Sequence, residues 1–143
     1  MPIEDFSPAE KVFLTKVMRK SGLPDIHDAR DLTIVVFRSL RDLMTTEAAV
    51  RTEETFDDER VALLWKDDNP LVALLSKLRP PLKFDTKTFL RRINQEGGVP
   101  KNVKPEDVVS AVFSTVKEEL SSERIEEISS FLPDGLKAMW NEQ

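Results

Sequence analysis

The chain has 143 residues, no cysteine, only four glycines, 40% hydrophobic and 33% charged residues, and a formal net charge of −5. Without cysteine there is no disulfide, thiolate metal site or cysteine nucleophile, and the acidic surplus argues against general nucleic-acid binding, which rests on neutralising phosphates with Lys and Arg. The length fits one domain, or two small lobes sharing a core, and the composition fits a soluble, helix-rich protein.

Taken in chain order, MPIEDFSPAEK lacks the basic region and apolar run of a signal peptide. No stretch approaches the ~20 apolar residues that span a bilayer. No membrane span is therefore expected. Ser7-Pro8-Ala9-Glu10 reads as a helix start, with Ser7 as cap, Pro8 at the first helical position and Glu10 reaching back. That helix runs to about Lys20 with Phe13, Leu14 and Val17 inward, and Gly22 and Pro24 end it. Asp25 or Asp28 caps the next helix, whose stripe Leu32, Val36, Leu40 and Leu43 is widened by Val35, Phe37 and Met44. Thr45 or Thr46 caps a third helix.

An acidic stretch follows, from Glu47 to Asp68, and it holds an apolar knot, Val61-Ala62-Leu63-Leu64-Trp65. Asp57 or Asp58 caps a short helix carrying the knot, and Asn69-Pro70 opens another helix through about Leu78. Asp85 or Thr86 caps TKTFLRRINQ, which stops at Gly97-Gly98. Pro105 opens a second apolar helix with Val109, Val112, Phe113, Val116 and Leu120 inward. Ser121 or Ser122 caps a segment with Ile125, Ile128 and Leu132 inward, and a short last helix runs Leu136–Trp140. No segment alternates apolar and polar residues over a strand length.

The two halves repeat one another. Phe13 and Phe89 stand 76 positions apart (89 − 13), and that offset holds without a gap to Glu47 and Glu123. Identical pairs on it include Leu14/Leu90, Gly22/Gly98, Pro24/Pro100, Asp31/Asp107, Val36/Val112 and Phe37/Phe113, more than the two or three identities that composition would supply in roughly such a window. Leu75–Lys83 lines up with Ser129–Lys137 at a shorter offset of 54 (132 − 78), which implies an insertion of 22 (76 − 54) near residues 48–69. The expected fold is all-α: a tandem-duplicated helical bundle of two pseudo-twofold-related units of three to four helices sharing one core. The units are 7–84, with the acidic insertion, and 85–143. The two long apolar helices are expected to pack on each other.

Each unit resembles the bacterial "domain of unknown function 2267" family. The resemblance rests on a start such as FLTKV or FLRRI, a turn, an apolar helix such as VVFRSLRDLM or AVFSTVKEEL, a capped TTE or SSE, and a Leu-Pro-x-x-Leu-Lys tail near an aromatic. The first copy departs from it at Leu78-Arg79-Pro80-Pro81-Leu82. The resemblance implies an all-α bacterial cytoplasmic protein, and it carries no functional residues over.

No catalytic constellation is visible, so the chain is read as no enzyme, with no cofactor and no metal site. His27, the single histidine, reads as a surface residue at a helix entry. The acidic run Glu53–Glu59 lacks the ligand spacing and central glycine of a calcium loop and reads as a solvated face. Two features remain. The knot offers Val61, Leu64 and Trp65, either as a cap on the first lobe or as an exposed anchor for a partner protein, since Trp is enriched at binding hot spots. The stretch from Lys77 to Arg92 concentrates positive charge, with Arg79, Lys83, Lys87, Arg91 and Arg92 as candidate contacts. The leading expectation is a non-enzymatic interaction or accessory protein that uses the insertion and the basic helix to bind a protein partner or a second copy. The alternatives are a small-molecule or lipid binder with an apolar pocket between the repeats, and weak nucleic-acid binding through 77–92.

Overall fold

The computed structural model describes residues 6–66 and 81–142. Among these residues all regular structure is helical, in eight helices: α1 (Pro8–Ser21), α2 (Ile26–Leu43), α3 (Thr46–Glu53), α4 (Glu59–Trp65), α5 (Thr86–Gly97), α6 (Pro105–Lys117), α7 (Ser122–Ser130) and α8 (Asp134–Asn141). The helix expected over Pro70–Leu78 and the match to Leu75–Lys83 lie largely outside the described residues.

Local chemistry sets the helix ends. Ser7 Oγ accepts from Glu10 N at 3.1 Å while Ser7 N donates to Glu10 Oε1 at 3.3 Å, which completes the capping box. Asp25, Thr45, Asp58, Asp85 and Ser121 each accept from a backbone N–H in the first turn of the helix they precede. Lys104 precedes α6 without a side-chain cap, and Pro105 begins that helix. Gly22 and Gly98 end α1 and α5 in the left-handed region, at φ 84° and 68°. The second apolar helix is shorter than expected: α6 closes at Lys117, and Glu118–Leu120 form turns before Ser121 starts α7.

The buried residues of both halves form one continuous cluster. Within it the aromatic rings fall into two corresponding groups. Phe37 lies 6.2 Å from Phe13 and meets Trp65 edge-on at 5.1 Å. Phe113 lies 6.4 Å from Phe89 and meets Trp140 edge-on at 5.0 Å. Each indole donates to a backbone carbonyl of the helix before it in its half, Trp65 to Ala49 at 2.9 Å and Trp140 to Ile125 at 3.0 Å.

The helices cross between halves. α1 packs on α6, and α5 packs on α2; α2 also touches α6, and α3 touches α7. The long-on-long contact expected between α2 and α6 is present, but the crossed packing is the more extensive. The physical reason is the width of the apolar stripe: α2 and α6 are buried on most sides, and a first helix from the opposite half covers what a facing central helix leaves open. Gly97 belongs to this crossing. A Cβ there would stand 2.2 Å from Leu32 Cδ2, and Leu32 is fully buried, so the absence of a side chain is what lets α5 approach α2.

Candidate interaction surface

α4 turns Val61, Leu64 and Trp65 inward. These three are 2%, 2% and 1% exposed. Their i, i+3, i+4 spacing puts them on one helical face, and α4 lays that face against α2 and α1. Asp58 holds its N-terminus, accepting from Arg60 N and Val61 N at 3.1 Å and from Ser7 Oγ at 2.8 Å. The partner-anchor expectation for Val61, Leu64 and Trp65 is therefore corrected to core. The face α4 shows to solvent carries Leu63 instead.

The basic candidates divide. Arg79 lies outside the described residues. Lys83, Lys87 and Arg91 are exposed and make no ion pair among the described residues. Arg92 is taken up by the fold: its guanidinium reaches Asp42 at 2.7 Å and Glu96 at 3.5 Å and sits 4.8 Å from the Phe84 ring centroid. The division follows from helical geometry. α5 buries Phe89 and Ile93; at 3.6 residues per turn, positions 87 and 91 point away from that face while position 92 flanks it.

Two acids of the stretch 47–59 have local partners. Glu53 pairs with Lys66 at 3.6 Å, and Asp58 caps α4. Among the described residues none of them forms a salt bridge with Lys83, Lys87 or Arg91. His27 is exposed on the first turn of α2, its ring 5.6 Å from Phe6. No group of three His, Asp or Glu side chains among the described residues is placed to hold a metal ion.

Several charged groups work in ways the sequence does not announce. Glu10, 1% exposed, lies 3.4 Å from Arg60 and 3.9 Å from Arg30, and so ties α1 to α4 and α2. Its capping role is legible, but its burial is not, because Arg30 and Arg60 come to it only through the fold. Burial pushes the Lys117 ammonium below its ordinary value; that ammonium donates to the Trp140 carbonyl and stands 5.5 Å from the indole centroid. Lys16 and Lys20 reach Glu118 at 2.7 and 3.1 Å, and the hydrogen bond from Lys16 holds the Glu118 carboxyl below the usual carboxylate range.

The model of an uncharacterized conserved protein family, DUF2267, matches residues 10–139. The chain belongs to this family. The match runs across both halves of the DUF2267 chain, from α1 to α8, and so covers the crossed helices and the α5 edge alike. No curated protein matches it. No helix among the described residues is long and apolar enough to cross a membrane.

Proposed function

We propose that this DUF2267 protein is a bacterial, cytoplasmic, non-enzymatic interaction protein that presents the exposed edge of α5 to an acidic protein surface. One observation carries the reading: Lys87 and Arg91 on α5, and Lys83 just before it, are exposed and form no salt bridge among the described residues, with Asp85 the acid near enough to feel Arg91, in a chain of net charge −5. Arg92, on the same helix, is already paired and stays out of the contact. Exposed pairs are worth only ~0–1 kcal/mol each, so the row sets orientation and encounter rate more than affinity. The apolar knot of α4 takes no part, because α1 and α2 cover it.

The test uses a fluorescein-labelled polyglutamate peptide and, separately, a labelled single-stranded DNA. The full chain is expected to bind the peptide, to lose it as salt rises, and to lose it in the triple variant Lys83→Glu/Lys87→Glu/Arg91→Glu. Equal retention by the wild type and the triple variant would end the reading. Binding of the DNA without the peptide would replace it with the nucleic-acid alternative.

We also infer that the chain is a tandem pair of four-helix units. The matched contacts support this. Lys16–Glu118 and Arg92–Asp42 join positions that differ by 76 (92 − 16 and 118 − 42), with the halves exchanged. Lys20–Ser114 and Glu96–Arg38 are related in the same way. The caps Thr45 and Ser121 share the offset (121 − 45), while Trp65 and Trp140 differ by 75. On this reading α3 and α4 correspond to α7 and α8. The extra residues of the first copy then follow Trp65, rather than forming an insertion at 48–69.

A further inference from the structure

The next inference rests on the tandem reading and concerns what the seam between the halves will accept. The apolar faces that meet there are nearly the same on both sides: Phe13 corresponds to Phe89, Leu14 to Leu90, Val36 to Val112 and Phe37 to Phe113. Burial of such faces is non-directional. On apolar contact alone, a first half would accept the first half of another copy about as readily as its own second half.

The charges at the seam do distinguish them. Arg51 on α3 and Glu127 on α7 are 76 positions apart and touch, with Arg51 Nε donating to Glu127 Oε2 at 3.2 Å. They are the same position in the two units, facing itself. Two like halves would set Arg51 against Arg51, or Glu127 against Glu127. The second place is the matched pair of Lys20 with Ser114 at 2.9 Å and Arg38 with Glu96 at 3.6 Å. Joining two first halves would bring Lys20 to Arg38, cation against cation, on both sides of the axis, with Asp42 in the place of Glu118 beside Lys20. The remaining matched pair is indifferent: positions 16 and 92 are both cations, 42 and 118 both anions, so any combination is attractive. Discrimination therefore rests on Arg51, Glu127, Lys20, Arg38 and Glu96, and like-charge juxtaposition is a known means of excluding a wrong partner.

We propose that the seam is a docking surface for an unlike half only, so that a second copy of this chain associates by exchanging halves and never by pairing like with like. The smallest such assembly is a closed dimer, first half on second half twice over.

Two full-length variants test it. Arg51→Glu places two acids at the axis, and Glu127→Arg places two bases there. Each variant alone is expected to unfold at lower denaturant than the wild type. The double variant Arg51→Glu/Glu127→Arg should recover part of that loss; Glu47, Glu123 and Arg124 lie beside the exchanged charges and limit the recovery. When the two single variants are unfolded together and refolded as a mixture, native mass spectrometry should show a 1:1 dimer. In that dimer every axis contact is again acid against base. High salt should shrink both effects, because the pair is partly exposed. Single variants as stable as the wild type would overturn the proposal. So would a co-refolded mixture that stays monomeric, or dimers of either single variant alone in equal yield.

Discussion

Thr33 and Ser39 carry fully buried hydroxyl oxygens on α2 that have no hydrogen-bond partner among the described residues. An unpaired buried polar group costs about 1–3 kcal/mol. The corresponding place in the second half holds Val109, also fully buried, and the counterpart of Ser39 is Thr115, whose hydroxyl donates to Ala111 O at 2.8 Å. Thr33→Val should therefore stabilise the protein by about 1 kcal/mol, read as a higher urea midpoint at unchanged slope. A lower midpoint would mean that the hydroxyl is satisfied in solution. At this scale the caps were legible: Ser7, Asp25, Thr45, Asp58, Asp85 and Ser121 are all among the candidates that the residue types name. Capping needs only residues two or three apart. The burial of Glu10 was not legible, since its cations arrive from α2 and α4.

Among the elements, α4 and α8 behave alike. Each is a short helix that lays one indole over the phenylalanine of a central helix and hydrogen-bonds it to a carbonyl of the helix before. Trp65→Phe and Trp140→Phe should each cost roughly 2–4 kcal/mol, from lost volume and a lost hydrogen bond. The check is chemical denaturation followed by circular dichroism. An exposed anchor would instead tolerate Trp65→Phe with little change. The knot's helix was readable from Asp58 and the i, i+3, i+4 spacing. Its direction was not: an amphipathic helix specifies that one face is apolar, and the cover for that face comes from α1 and α2. The same limit applies to α5, where the three cations Lys87, Arg91 and Arg92 look equivalent in sequence and only Arg92 meets Asp42.

For the whole molecule, the inter-half ion pairs contribute to the response to pH. The hydrogen bond from Lys16 lowers the Glu118 carboxyl, and that from Arg51 lowers Glu127. A carboxylate lowered on folding contributes stability above its unfolded value and loses it as pH falls through the folded one. Glu118 raises Lys16 in turn, and that contribution is lost only as pH rises through the lysine range. Stability should be level through neutrality and fall below about pH 4, with denaturant midpoints as the measure. The acid loss should be smaller in Lys16→Gln, which starts without the pair. All these groups are partly exposed, so the change is modest and salt reduces it.

What the amino-acid order determined by itself is local or periodic: helix starts and stops, the apolar stripes of α2 and α6, and the all-helical class. These depend on neighbours within a turn or two, which the chain carries in sequence. Only the tertiary structure decided that first helices cross to the opposite half, that Trp65 is covered, and that Arg92 rather than Lys87 or Arg91 meets Asp42. Those outcomes depend on groups that meet across long separations, such as Lys16 and Glu118, and hydrophobic patterning says that a face must be buried without saying against what.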